Sequence, residues 1–297
     1  MLPLYKYLDV KGGLLTLSNK NFRHAKPSEF NDQEDMTVQR LFPEEEIESL
    51  TLQMNNFTEI ILRNLDRIPT CADPIMRSQV SIIQNVYRNN PNAAELVKQT
   101  VQNDRPEDIY DLEHLRKARD NTLQEINEHL QGYRVLCLSA NRNSERMWNR
   151  YADKHEGIVI GIIPNVEKDS KFRLSKKVEY KEERPPLFPS TIEFVEDSLF
   201  GNHEKTILKY VDTVIYTKTK EWEYEDEYRL AIFLFSHENW NTLPFHSEEI
   251  SELYLGLNIS DENKKKFVAL AQAINPSIKI FQVIRIVRKN LISYLFN

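Results

Sequence analysis

The sequence is poor in several residue types, and each shortage excludes a class of protein. Cys71 and Cys137 are its only cysteines among 297 residues, too few for a disulfide framework or a four-thiolate metal site. Glycine occurs only 7 times and no Gly-x-Gly-x-x-Gly turn is present, which argues against a Rossmann mode of dinucleotide binding. No apolar run approaches the roughly 18 residues of a membrane span. The first residues lack the apolar stretch of a signal peptide, so we expect a cytoplasmic protein with reduced thiols.

Acidic residues are concentrated in one part of the chain. The whole sequence has 39 Lys+Arg and 45 Asp+Glu, a formal net charge of -6. Residues 41–130 contain 9 of the basic and 16 of the acidic residues, so this stretch has a balance of -7 and the remainder +1. We therefore expect a protein partner to bind to the acidic stretch. The near-neutral remainder can accept an anionic ligand.

Hydrophobic periodicity divides the chain into a helical stretch and a β-rich remainder. In residues 41–130, apolar side chains recur three or four positions apart, as on one face of a helix. The flanks contain short runs rich in Ile, Val, Leu, Phe and Tyr, which predict strands, the first two at residues 4–7 and 14–17. We predict an α+β protein with a mostly antiparallel or mixed β core formed by residues 1–40 and 131–297. An acidic helical insertion, residues 41–130, follows the second strand.

The first predicted strand has a lysine between two tyrosines. Alternation places Tyr5 and Tyr7 on one face of the strand and Lys6 on the other. An edge strand with a solvated lysine would give this pattern, and so would a cation at the rim of a pocket. The sequence leaves both interpretations open.

A tryptophan and a tyrosine share one face of the helix predicted at residues 145–153. Met147, Trp148 and Tyr151 are three and four positions apart, which fits either core packing or a stacking platform for a planar ligand. His155 follows the helix without a second histidine at helical spacing. With Asp153 and Glu156 it gives only a weak signal for a metal site, and a polar helix end is the default interpretation.

Charged residues begin a late strand. Alternation places Glu225, Glu227 and Arg229 on one face. Ala231 and Phe233 continue that face with apolar side chains, so we expect Glu227 to be partly buried. Arg229 is positioned to pair with Glu227 and to keep it ionised. Buried, oriented carboxylates cluster at functional sites, although structural ion-pair networks also contain them.

Several motifs of the chain resemble one bacterial family. They are Leu-Tyr-Lys-Tyr at 4–7, Pro-Ser-x-Phe-Asn-Asp at 27–32, Met-Trp-x-x-Tyr-Ala-Asp-x-His-x-Gly-Ile-x-Ile-Gly at 147–161 and Trp-x-Tyr-Glu-x-Glu-Tyr-Arg at 222–229. These motifs, and the order in which they follow one another, resemble those of the DUF2971 family, whose function is unknown. Two departures are Gln33-Glu34 where the family has Pro-Phe, and Leu138 where it has Phe between Cys and Ser. The resemblance implies a setting in bacterial stress or phage defence.

A looser resemblance is to the ADP-ribosyltransferases. Those enzymes have an Arg or His, then a Ser or Tyr, then a Glu, often as Glu-x-Glu, on three strands in chain order. This chain has Lys6, Ser139 and the pair Glu225 and Glu227 in the same order. The resemblance implies that NAD is the substrate and that a protein or a nucleic acid is the target.

The same resemblance implies a role for each candidate residue. Glu227 would stabilise the oxocarbenium-like charge as nicotinamide leaves, and Glu225 would orient or deprotonate the acceptor. Trp148 or Tyr151 would stack on the nicotinamide ring. The expected catalytic residues are Glu227, Glu225 and Ser139, and the expected NAD-binding residues are Lys6, Tyr7, Trp148, Tyr151 and Arg229.

Two other functions remain open. A metal-dependent nuclease or phosphoesterase would need several carboxylates around Mg²⁺, but no Asp-x-Asp or His-x-His cluster is present. Its residues would be Asp32, Asp153, His155 and Glu227. A non-enzymatic ligand-sensing or partner-binding module would use the aromatic motifs as core and the charged strand as an internal salt bridge. The one run of three basic residues, 264–266, is too short to count as a nucleic-acid patch, and we expect no membrane contact.

Overall fold

The chain forms two compact units in a computed structural model. The structure describes residues 3–101, 105–109, 111–201, 203–235, 237–285 and 291–295. The first unit, called the sheet unit, comprises Met1–Asp35, Leu130–Arg184 and Tyr216–Asn297. The second, called the helical unit, comprises Met36–His129 and Pro185–Ile215.

One large β-sheet forms the centre of the sheet unit. The strands of the described residues are β1 (Leu4–Leu8), β2 (Asn21–Arg23), β3 (Tyr133–Ser139), β4 (Ile158–Ile162), β5 (Lys176–Lys177), β6 (Glu179–Lys181), β7 (Thr217–Thr219), β8 (Glu227–Phe233), β9 (Thr242–Pro244), β10 (Ile250–Leu255), β11 (Lys279–Arg285) and β12 (Leu291–Leu295). Eight of them form one sheet in the order β12-β11-β10-β4-β1-β3-β8-β5. Its neighbouring strands are antiparallel except β10 and β11. The prediction of an α+β protein with a mixed, mostly antiparallel sheet is confirmed.

Helices occur in both units. Those of the described residues are α1 (Val10–Asn19), α2 (Glu46–Arg63), α3 (Pro74–Asn89), α4 (Pro91–Val101), α5 (Pro106–Ile109), α6 (Leu112–Leu130), α7 (Glu145–Tyr151), α8 (Thr191–Phe200), α9 (His203–Ile215) and α10 (Asp261–Ile274). Within the described part of the chain, none of them combines the length and the apolar character that a membrane crossing requires.

One face of the sheet is packed with aliphatic side chains. Leu136 and Leu138 of β3 and Leu230 of β8 lie on this face, because alternate residues of a strand point to the same side. Leu17 of α1 and Phe267 of α10 cover them. Helices α1 and α10 are therefore fixed on this side of the sheet.

The opposite face is aromatic. Tyr5 and Tyr7 of β1 pack there with Tyr254 of β10 and Trp148 of α7. Trp148 is fully buried. Because a buried tryptophan is among the largest apolar contributions to packing, this cluster fixes α7 against the sheet.

Strands β1 and β3 diverge in the middle of the sheet. β1 pairs with β4 along its whole length. With β3 it shares one register pair, Tyr5 with Ser139. Beyond this pair the two strands separate, and side chains rather than a continuous hydrogen-bond ladder fill the gap between them.

The prediction of a strand at residues 14–17 is wrong. These residues lie inside helix α1, which begins after Asp9, whose side chain accepts a hydrogen bond from the backbone of Gly12 at 2.6 Å. Leu14 and Leu17 are three positions apart and both pack on the sheet. A short apolar run is compatible with either a strand or a buried helix face, and the N-cap decides for the helix here.

The helical unit has its own core. Helix α2 packs against α3, α4 and α8. Ile60, Ile61, Val80, Tyr87 and Val195 are buried between these helices. The unit includes Pro185–Ile215, which the sequence analysis left with the β-rich region. This stretch joins the preceding helices through contacts distant in sequence, which a local pattern does not reveal.

Candidate functional site

A cavity of about 670 Å³ lies in the sheet unit between the diverging strands β1 and β3. Residues of both strands, of α1 and β2, and of the segment from β7 to β8 form its walls. Such a volume is in the range of small-molecule sites. Its charged and amide-bearing lining residues are Lys6, Asp9, Lys11, Asn19, Asn21, Arg23, Glu29, Asn31, Asp32, Asp35, Lys218, Glu225, Glu227 and Asn241.

Arg229 of β8 is the centre of a buried charge cluster beside this cavity. Its Nη1 donates to Oδ1 of Asp35 at 3.0 Å, and its Nη2 donates to Oδ2 at 2.5 Å. Its Nε donates to Oε1 of Glu227 at 2.8 Å, and Nη2 also reaches Oε2 at 3.0 Å. The Arg229 side chain is fully buried. Arg229, expected to bind a ligand, instead holds two carboxylates in fixed orientations.

Lys218 of β7 joins three carboxylates through one ammonium group. Its Nζ lies 2.6 Å from Oε2 of Glu225, 3.3 Å from Oε2 of Glu227 and 3.4 Å from Oδ2 of Asp35. The Trp222 ring also covers the ammonium group, with the ring centroid 4.6 Å from Nζ. Together with Arg229, the cluster contains three carboxyl groups and two cations, so formally it has one excess negative charge.

The two glutamates of the cluster have pKa shifts of opposite sign. Burial favours the neutral acid at both positions. At Glu227, Arg229 and Lys218 outweigh burial and lower the pKa from 4.5 to about 2. At Glu225, burial prevails over the opposing effect of Lys218, and the pKa is raised. Neighbouring carboxyl groups whose surroundings shift their pKa values in opposite directions are the pattern of an acid–base pair.

Tyr151 contacts this pair from helix α7. Its hydroxyl donates to Oε1 of Glu225 at 2.6 Å. Burial and the adjacent carboxylate raise the pKa of Tyr151, so the phenol remains a hydrogen-bond donor. Tyr151 lines the cavity and fixes Glu225 at the same time.

Lys6 lies in the gap between β1 and β3. Its Nζ donates to the backbone oxygen of Cys137 at 2.9 Å, and the side chain lines the cavity. Burial lowers the pKa of Lys6. Because β1 is a central strand, the edge-strand interpretation of this segment is wrong, and the geometry agrees with a cation at a pocket.

Two other expected site residues, Ser139 and Trp148, do not line the cavity but contact residues that do. Ser139 is fully buried, and its hydroxyl donates to the backbone oxygen of Glu225 at 2.6 Å. The Trp148 ring is also fully buried and is stacked on His155, with centroids 5.3 Å apart and 3° between the planes. Trp148 is therefore not exposed to a ligand ring. Tyr7, which packs edge-on against Trp148, does line the cavity.

Sequence reasoning missed Asp35 and Lys218. Asp35 lies in a turn after residues 27–32, where a polar side chain is ordinary, and Lys218 lies in a three-residue strand among other charged residues. Both become site residues only through contacts with β8. The sequence nevertheless contained one indication of a further cation. Glu225 and Glu227 are close together, and two buried glutamates need more than one cation if both are to be paired.

Of the residues considered for a metal-dependent nuclease, Asp32 and Glu227 both line the cavity, whereas Asp153 and His155 do not. Asp32 pairs with Arg184 at 2.7 Å, whereas Glu227 is bound by Arg229. His155 belongs to the aromatic face of the sheet. In the residues that the structure describes, no group of three or more His, Cys, Asp or Glu side chains is arranged to hold a metal ion.

Part of the chain that contributes to this site matches one known family. Residues 147–230 match the model of the DUF2971 family, described as a protein of unknown function. The matched stretch includes Tyr151, Lys218, Glu225, Glu227 and Arg229, which is most of the charge cluster. No curated protein and no solved structure matches the chain significantly. The comparison therefore supports the family resemblance and assigns no activity.

Proposed function

We propose that the chain is an ADP-ribosyltransferase-like enzyme that uses NAD as its substrate and modifies a macromolecular target in bacterial stress or phage defence. The observation that carries the proposal is the pair of Glu225 and Glu227. Their carboxyl groups share one ammonium group at a cavity and have pKa shifts of opposite sign. The setting in defence rests on the family resemblance alone.

Glu227 supplies a fixed negative charge for breaking the glycosidic bond. The electron pair of the bond between ribose C1 and nicotinamide leaves with nicotinamide, and positive charge develops on the ribose. A carboxylate with a pKa of about 2 is ionised at any physiological pH. Arg229 already orients it, so little reorganisation is needed as the charge develops.

Glu225 is suited to accept a proton from the target. The acceptor atom bonds to ribose C1, and its proton passes to the Glu225 carboxylate. A raised pKa brings this base closer to neutral pH, where proton transfer is more effective. The Tyr151 hydroxyl holds the carboxyl group in position for this step.

Cations elsewhere in the cavity suit the pyrophosphate of NAD. Lys6, Lys11 and Arg23 line the cavity. Arg23 is paired with Glu29, whereas the Nζ of Lys6 donates to a backbone oxygen. Binding of an anion would stabilise the charged form of Lys6, which burial disfavours. Lys6 is therefore the residue that we expect to contact phosphate.

The proposal is tested by incubating the purified chain with NAD and cell lysate and measuring nicotinamide release and transfer of labelled ADP-ribose. We expect release and transfer by the wild type and a loss of at least about 100-fold in Glu227→Gln, since a charge that acts in the transition state is removed. Glu225→Gln should also reduce transfer, by about 100-fold, through loss of the base.

Glu223→Gln is the matched control. Glu223 is exposed, lies on the same segment and should tolerate the change without loss of activity. Thermal unfolding of each variant shows whether it is folded. Absence of nicotinamide release from the wild type, or a folded Glu227→Gln with full activity, would refute the transferase.

A ligand-sensing module is a second candidate, favoured by one observation. Each carboxyl group of the cluster is already ion-paired, as in a structural network. Such a module would bind NAD in calorimetry without releasing nicotinamide. Lys6→Gln should then weaken binding, and Glu227→Gln should affect stability alone.

A further inference from the structure

Two exposed arginines of helix α7 lie on aromatic rings beside the cavity. The guanidinium carbon of Arg146 is 4.6 Å from the centroid of the Tyr224 ring, and that of Arg150 is 4.4 Å from the centroid of Trp222. Trp222 also lines the cavity. We call these four residues the arginine–aromatic surface.

Arg146 and Arg150 contact aromatic rings, whereas several other exposed cations of the sheet unit contact carboxylates. The carboxylate pairs are Arg23 with Glu29 at 2.8 Å, Lys168 with Glu248 at 2.9 Å and Lys177 with Asp226 at 3.1 Å. Within the described residues, Arg146 and Arg150 form no ion pair and contact rings instead. Their positive charge is therefore available to an anionic partner.

The contact with a ring orients each guanidinium group. Within the described residues its N–H groups form no hydrogen bond, so they can donate to phosphate oxygens, and its outer face can stack on a base. Residues four apart on a helix are separated by about 6 Å along its axis, so Arg146 and Arg150 can contact neighbouring phosphates of an extended strand. The amides of Asn143 and Asn149 are exposed nearby and can bond to base edges.

We propose that the arginine–aromatic surface binds single-stranded nucleic acid and that this strand is the acceptor of the transfer reaction. The surface leads to the cavity through Trp222, and Arg150 also lies over Tyr151, which holds Glu225. An unpaired base can leave the strand and enter the cavity, as enzymes that modify bases require. An acidic peptide would use the charges and leave the rings unused. The acceptor role rests on the proposed function, whereas binding does not.

Binding is measured without NAD, by fluorescence anisotropy of a labelled single strand of about 12 nucleotides with the full chain. Two phosphate contacts predict that the logarithm of the binding constant falls with the logarithm of salt at a slope of about -1.4. Arg146→Gln with Arg150→Gln should weaken binding at least about tenfold at about 50 mM salt and flatten the slope. Tyr224→Leu should weaken binding and leave the slope unchanged, because it removes a ring and no charge.

Lys264→Gln with Lys265→Gln is the matched control, since it removes the same charge from helix α10. It should retain wild-type binding. Arg146→Gln alone separates loss of charge from any disturbance of Trp222. Equal affinity of the wild type and the double arginine variant would overturn the proposal, as would equal binding of a duplex. If the wild type binds the strand but releases no nicotinamide, the proposed transferase function is refuted and the proposed binding surface is supported.

Discussion

Arg229 and Asp35 are 194 positions apart in the chain, and both terminal nitrogens of the guanidinium group bind the carboxylate. The same guanidinium group binds Glu227, so the turn that contains Asp35 and the strand that contains Glu227 are connected through one side chain. The cavity lies between these segments. Correct folding of the turn and orientation of the glutamate therefore depend on each other.

Asp35→Asn should lower the free energy of unfolding by about 3 kcal/mol, because it leaves the buried charge of Arg229 incompletely paired. Urea denaturation at neutral pH measures the change. Glu29→Gln is the control, since it breaks the exposed pair with Arg23 and should cost less than about 1 kcal/mol. Equal effects of the two substitutions would show that the buried cluster has no special energetic role.

Glu227→Gln should destabilise the protein in a pH-dependent manner. The pKa of Glu227 is lowered from 4.5 to about 2, so its ionised form contributes about 3 kcal/mol of stability above pH 4.5. This contribution is lost as the pH falls from about 4.5 towards 2. Denaturation of the wild type and the variant at neutral and acidic pH should give free energies that converge in acid. A constant difference would contradict the assignment.

Glu225→Gln should show the opposite pH dependence. Its pKa is raised, so the folded state favours the protonated acid, and this contribution is lost as the pH rises above 4.5. The variant keeps a neutral side chain and should gain stability relative to the wild type as the pH rises. Measured side by side, the two glutamine variants should diverge; parallel pH profiles would mean that the glutamates have similar environments.

The charged strand was the part of the site most accessible to sequence reasoning. Alternation correctly indicated that Glu227 and Arg229 share a face, and the apolar residues after them indicated burial. The placement of Glu225 on the same strand is wrong, because Glu225 ends a short 3-10 helix and the left-handed Asp226 separates it from β8. The fold class followed from periodicity in the same way. The error at residues 14–17 has a physical reason, because four apolar-rich residues fit both periods and the deciding cap lies outside them.

The remaining site residues depend on tertiary contacts. Nothing local distinguishes Asp35 from a turn residue, or Lys218 from a solvated lysine. Trp148 was open to two interpretations, because an aromatic face of a helix can either pack in the core or stack on a ligand. The partner of its ring, His155, is separated from it by a left-handed turn that includes Lys154, with φ of 50°. Spacing rules for a continuous helix do not describe that contact.

We expect the free energy of unfolding to fall in mild acid because His24 is buried. Burial, with Lys6 and Lys171 adding to it, lowers the pKa of His24 from 6.5 to about 4. The folded state therefore binds fewer protons, and up to about 3 kcal/mol of stability is lost as the pH falls from about 6.5 to 4. NMR should show a His24 ring that does not titrate above pH 5, and His24→Phe should flatten the profile. Titration near pH 6.5 would contradict the burial.

Tyr151→Phe should shift the pH dependence of transfer if Glu225 is the base. The Tyr151 hydroxyl lowers the pKa of Glu225 by a hydrogen bond to its carboxylate, partly offsetting burial. Its removal should raise that pKa further and move the acidic limb of kcat/KM to higher pH. Tyr224→Phe is the control, because it removes a hydroxyl from a tyrosine of the same segment that, within the described residues, forms no hydrogen bond to Glu225. An unmoved limb in Tyr151→Phe would mean that the titrating group is not Glu225, even if activity falls.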